Sequence, residues 1–121
     1  MPNAKLKEQI LRWVDRAALP GDLPKAKPIA LIAPHAGYAY SGPVAAHGLK
    51  ALKGQNYDRV VIIGPSHRVY MKNQICLPSA AGFRTPLGMV ETDPEAVRKL
   101  AALDFVRQND RIHYDEHSAT K

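Results

Sequence analysis

Two short apolar runs, residues 29–33 (IALIA) and 59–63 (RVVII), most constrain what this chain can fold into. Each is rich in Ile, Val, Leu or Ala, and each is stopped at once by a breaker. Pro34 follows the first, and Gly64 with Pro65 follows the second. Short continuous apolar runs with such boundaries read as strands buried on both faces. Between them, residues 43–53 (PVAAHGLKALK) suit a helix with Pro43 in its first position, although Gly48 weakens it. Strand, helix and strand within residues 29–63 make a βαβ unit. The two strands are therefore predicted parallel, joined by a right-handed crossover.

The remaining segments fit the same class. Leu6, Ile10, Trp13, Val14 and Ala17 recur at helical spacing, with Lys and Arg on the opposite face, so residues 4–18 read as an amphipathic helix. Pro20, Gly21, Pro24 and Pro28 then enforce a non-helical connection. Residues 73–77 (NQICL) read as a third strand, and FRTPLGMVETD as a loop with a short strand. Thr92 or Asp93 can cap a helix that takes Pro94 in its first turn, carries Glu95 near its positive end and runs to about Leu103. Phe105 and Val106 form a short apolar element. The expected architecture is α/β: a parallel or mixed sheet with a βαβ unit and flanking helices, in a single domain over residues 1–121.

Composition narrows the function classes. Of 121 residues, 45% are hydrophobic and 23% charged, as in ordinary globular proteins. No apolar run nears the ~20 residues of a membrane-spanning helix. Residues 1–18 are too charged for a signal peptide. The single cysteine, Cys76, allows no internal disulfide and fits a reducing, cytoplasmic setting. The net charge of +6 comes from scattered Lys and Arg, without the motifs of nucleic-acid readers, so it reads as a solubilising surface. The first helix reads as packed on the domain rather than laid on a membrane.

The candidate chemistry lies where the two runs end. One gives Ala33-Pro34-His35 and the other Gly64-Pro65-Ser66-His67. In a βαβ unit the carboxyl ends of both strands share one edge, where open α/β sheets place their sites. Pro34 and Pro65 favour extended backbone before each site, and Gly37 and Gly42 permit tight turns or close approach. Two imidazoles converging on one point make a metal pair. A carboxylate as third ligand would complete the facial set of non-haem Fe(II) sites. Asp115, Glu116 and His117 in YDEHS are the candidates. Cys76 is disfavoured because it lies inside a predicted strand.

Other readings stand beside these. A loop histidine is more often a plain hydrogen-bonding residue. His47 lies on the crossover helix and suits packing or support rather than ligation. Tyr38 and Tyr40 can be pocket walls, acid donors or ordinary surface. Gly37 and Gly42 sit between a strand and a helix, as phosphate loops do, but neither G-x-G-x-x-G nor G-x-x-x-x-G-K-[ST] is present.

The stretches ALIAPHAGYAYSGPVAAHGLKAL, VVIIGPSHRVY, RTPLG and DEHS, in that order, resemble the Memo-like family, also called AmmeMemoRadiSam system protein B in bacteria and archaea. The resemblance runs from the N-terminal helix to Ser118. It implies a fold similar to class III extradiol dioxygenases, which are non-haem iron enzymes. It marks His35 and His67 as metal-site residues, and Asp115 and His117 as catalytic residues lining the same pocket. The implied cofactor is a divalent metal, Fe(II) ahead of Cu. The implied activity is that of a dioxygenase-like oxidoreductase with no assigned substrate. Implied partners are AMMECR-type and radical-SAM proteins, and a small molecule or peptide, since an animal member binds phosphotyrosine peptides. Alternatives are a non-catalytic binding module of this fold and an inactive remnant. Family members run to about twice this length and carry a further metal-site residue, a Cys in the animal members, beyond the DEHS motif. The sequence is thus expected to be the N-terminal portion of a Memo-like domain, with an incomplete site.

Overall fold

A computed structural model describes residues 3–114 and Glu116. Its elements are α1 (Asn3–Arg16), α2 (Tyr38–Leu52), β1 (Ile75–Leu77), β2 (Gly82–Thr85), β3 (Gly88–Glu91), α3 (Pro94–Ala101), β4 (Val106–Gln108) and α4 (Arg111–Tyr114). The chain divides into two compact units, Met1–Asp58 and Arg59–Lys121.

The first unit is a pair of packed helices. The apolar spacing of α1 does what it predicts: Leu6 and Ala17 are buried, and Ile10, Trp13 and Val14 are half-buried. Burial of a leucine side chain such as Leu6 contributes about 1.5–3 kcal/mol. On α2 the buried residues are Ser41 and Ala46. Small residues let the helices approach: a β-carbon at Gly42 would lie 2.3 Å from Trp13 Cζ3. Gly48 plays the same part for the 29–33 segment, since a β-carbon there would stand 2.4 Å from Leu31 Cδ1. Polar ties finish the unit. Lys53 Nζ donates to Asp15 Oδ1 at 2.6 Å, and the Tyr57 hydroxyl donates to the Pro28 carbonyl at 2.6 Å. Lys27 lies over the Tyr57 ring and donates to the Asn56 carbonyl.

The second unit holds two small sheets. β1 and β4 pair in parallel, in the register Ile75–Val106, Cys76–Arg107 and Leu77–Gln108. Strands β2 and β3 form an antiparallel hairpin, joined at Pro86 and Leu87, with Gly88 at φ +136° where a side chain would be strained. Between β1 and β4 the chain passes through this hairpin and α3. Asp93 caps α3, its carboxylate accepting from the amides of Glu95 and Ala96 at 2.9 and 3.0 Å. Arg59 grips the same carboxylate at 2.5 Å. Val106 and Ile112 are the buried apolar residues here.

The α/β class holds, with a parallel pair, an antiparallel pair and helices; the segment expected as a loop with a short strand is the β2–β3 hairpin, and two further elements depart from expectation. Residues 29–33 and 59–63 form no strand among the described residues. Ile29 and Ile32 are 98% and 99% exposed, and Val60, Val61, Ile62 and Ile63 lie between 66% and 80%. An apolar β-branched run becomes a buried strand only when neighbours supply a ladder and cover both faces, and neither condition is met. The parallel pair with a helix in its connection is instead built from residues 75–77 and 106–108. The second correction is to α2, which starts at Tyr38 rather than Pro43. The motif tyrosines and Gly42 are therefore helical, and Pro43 lies inside the helix.

Candidate functional site

His35 stands three residues before α2, on an exposed stretch of the first unit. Its placement is set by the helix start. Gly37 is the N-cap, and its carbonyl accepts from the amides of Tyr40 and Ser41 at 2.9 and 3.1 Å. The buried Ser41 hydroxyl donates back to the Ala36 carbonyl at 2.8 Å. The residue after His35 is thus tied to the first turn of α2. Gly37 has φ −53°, an ordinary value, so it provides a cap and not a left-handed turn.

His67 belongs to the second unit. Ser66 closes the following turn: its hydroxyl donates to the Val69 carbonyl at 2.7 Å, and its oxygen accepts from the Val69 amide at 3.3 Å. Glu116 then holds His67 at two points. Its Oε2 accepts the His67 backbone N–H at 2.6 Å, and its Oε1 lies 2.8 Å from His67 Nδ1. The Glu116 side chain is only 5% exposed. A carboxylate so buried is retained when it is paired and hydrogen-bonded. An ionised carboxylate can only accept, so against one the Nδ1 atom is the donor of this bond.

The carboxyl ends of β1 and β4 are clamped together nearby in sequence. Asp110, two residues past β4, accepts the Ser79 amide at 2.6 Å and also takes the Ser79 hydroxyl. The Ser79 hydroxyl, then its amide, holds the Asp110 carboxyl below the usual aspartate range. From this clamp α4 leads to Glu116.

Of the residues singled out in the sequence, His67 and Glu116 are brought together. His35 and His67 each take their place within their own unit. Asp115 and His117 lie outside the described residues. Among the described residues, no group of three or more His, Cys, Asp or Glu could hold a metal. His47 Nδ1 lies 2.8 Å from the Ala18 carbonyl, within the first unit. Tyr38 and Tyr40 are exposed. Cys76 is in β1 and half-buried, and burial pushes its thiol up from the ordinary value of 9.0, against a smaller opposing effect of Arg107. The Ser79–Asp110 clamp was not read from the sequence. Its only signal is the polar pair Asn109 and Asp110, a few residues after the apolar Phe105 and Val106.

No helix among the described residues is long and apolar enough to cross a membrane. The described residues form an α/β protein whose second unit holds a histidine–carboxylate pair, His67 and Glu116. A family model for Memo-like proteins matches residues 2–120, and the chain belongs to this family. It is 40% identical over 118 residues to the MEMO1 family protein MK0963 of Methanopyrus kandleri, covering 91% of this chain and 41% of that protein. It is 41% identical over 124 residues to a MEMO1 family protein of Thermotoga neapolitana, covering 94% and 44%. It is 32% identical over 109 residues to the MEMO1 family protein MHO1 of Saccharomyces cerevisiae, covering 89% and 32%. The chain thus spans less than half the length of these curated relatives.

Proposed function

We propose that this Memo-like chain is metal-binding, with His35 and His67 as ligands, and serves an oxidoreductase of the dioxygenase type. The observation that carries this reading is the setting of His67. Metal-ligating histidines commonly donate their second ring N–H to a carboxylate, which fixes the ring and raises its basicity. The bond from His67 Nδ1 to Glu116 fits that pattern. Two imidazoles suit Fe, Cu or Zn alike, and the preference for Fe(II) ahead of Cu rests on the family resemblance. A bound metal would supply Lewis acidity and redox capacity. The chain's own residues would do the rest: His35 and His67 bind, Glu116 orients His67, and Asp115 or His117 holds or moves a proton on the substrate.

Metal analysis of protein purified after loading with Fe(II) tests this. With two histidines and an incomplete ligand set, weak Fe(II) uptake is expected in the wild type, and loss of that uptake in His35→Ala and in His67→Ala. Stoichiometric metal unchanged by both substitutions would sink the assignment. Oxygen uptake with catechol-type substrates then tests the redox part.

A non-catalytic binding module is the second reading. It is favoured by an apolar cleft of about 590 Å³ in the first unit, lined by Leu19, Leu23, Leu31, His47 and Leu52 among others. Small-molecule sites are clefts of this size and character. Binding of an apolar ligand without oxygen uptake would favour it.

A further inference from the structure

We infer that Glu116 is a positioning residue for His67 rather than a third metal ligand, and that it holds the imidazole in the tautomer protonated on Nδ1. The inference rests on the reading of His67 as a ligand for its consequence, but not for its geometry. Each carboxylate oxygen contacts His67. Oε2 accepts the His67 backbone N–H at 2.6 Å, and Oε1 faces Nδ1 at 2.8 Å. One contact fixes the main chain and the other the ring, so together they set the ring's angle to its own backbone. A metal held by Nε2 would lie across the ring from Nδ1, so the carboxylate that faces Nδ1 is not placed to share it.

The tautomer follows from the same geometry. A free neutral imidazole prefers its proton on Nε2. Reversing that preference needs an acceptor held at Nδ1, and an ionised carboxylate can only accept. Glu116 is 5% exposed, so water competes poorly for its oxygens, whereas His67 keeps 35% of its side chain exposed. The outcome is a ring whose lone pair is on the nitrogen away from Glu116. Glu116 joins two parts of the second unit that are 49 residues apart in sequence, and the sequence alone does not show that they meet.

The test uses the full chain, metal-free and ¹⁵N-labelled, at alkaline pH, with long-range ¹⁵N–¹H correlation of the ring nitrogens. The spectrum of His67→Ala assigns the His67 signals. The expected wild-type result is the Nδ1–H tautomer. Glu116→Ala should return the ring to Nε2–H. Glu116→Gln, whose amide oxygen can serve only one of the two N–H groups, should fall between. It also carries the test if the alanine variant fails to fold. Wild-type Nε2–H, or Nδ1–H retained in both variants, would overturn the inference. Titration with Co(II) alone then separates the two readings. Loss of Glu116 should weaken Co(II) binding about 10–100-fold, as loss of an orienting partner does, and less than loss of His67. Co(II) binding lost as fully in Glu116→Ala as in His67→Ala, with the tautomer unchanged, would make Glu116 a ligand. A wild-type chain that takes up no Co(II) yet shows the Glu116-dependent tautomer would refute the metal reading and leave the positioning role standing.

Discussion

Gly42 of α2 lies against the Trp13 indole of α1 so closely that a β-carbon at position 42 would stand 2.3 Å from Cζ3 and 2.9 Å from Cε3 and Cη2. The ring is rigid, and Trp13 is itself part of the packed face, so it cannot swing aside cheaply. Gly42→Ala should therefore destabilise the first unit even though alanine is the better helix former. Overpacking costs about 1–3 kcal/mol, and the helix gain returns up to about 1, leaving a net loss of about 1 kcal/mol. Urea unfolding checks this. In a Trp13→Leu background the same substitution should cost less, because the clash is gone; equal costs in both backgrounds would refute the contact.

Asp93 gives a pH prediction. Its carboxyl is held below the ordinary value of 3.8, first by the Ala96 amide and then by the Arg59 side chain. A carboxyl depressed in the folded state contributes stability that is fully present above its unfolded value. That stability is lost as pH falls through the folded value. The unfolding midpoint should thus be flat above about pH 5 and fall below about pH 4, given the ordinary aspartate range. Asp93→Asn keeps a capping oxygen but loses the charge, so its midpoint should be lower at neutral pH and fall less steeply in acid. An identical acid profile in both proteins would show that the carboxylate carries no such effect.

Local signals were the legible part of this fold. The α1 spacing, the Asp93-Pro94 start of α3 and the apolar character of 75–77 each predict the element found, because each depends on residues within one or two turns. The 29–33 and 59–63 runs were misread because a buried strand is a property of its neighbours as much as of its own side chains. The start of α2 was misplaced because Pro43 signals a first turn, yet the helix accommodates it six residues in. At the site, the sequence marks His67 by its Gly-Pro-Ser prelude and marks Glu116 as an acidic candidate. That Glu116 faces His67 depends on a pairing across 49 residues, which no local pattern encodes.

Cys76 should be a poor nucleophile. It lies in β1, half-buried, and burial raises its thiol above the ordinary 9.0 despite the nearby Arg107. The thiolate is the reacting form, so a raised thiol reacts slowly at neutral pH. Iodoacetamide labelling followed by mass spectrometry should be several-fold slower for the folded chain than for the chain in denaturant. Equal rates would mean that β1 does not shield the sulfur.

The exposed apolar runs should make the isolated chain adhesive. Ile32 is 99% exposed in the first unit, and Ile62 and Ile63 are 72% and 80% exposed in the second. Contiguous apolar surface of this kind is uncommon on soluble monomers and drives association. Neither run takes part in a sheet among the described residues, so their backbone groups are also open to pairing with another chain. The chain should bind an apolar dye such as ANS and sediment with a mass that rises with concentration. Ile32→Lys should reduce both effects in part, and Ile32→Lys combined with Ile62→Lys should reduce them further. These side chains are exposed, so each substitution should change the unfolding free energy by no more than about 0.5 kcal/mol. A wild-type chain that stays monomeric at every concentration and binds no dye would show that these runs are covered in solution. A large loss of stability in either lysine variant would show the same by a second route, since a charge is costly only where it is buried.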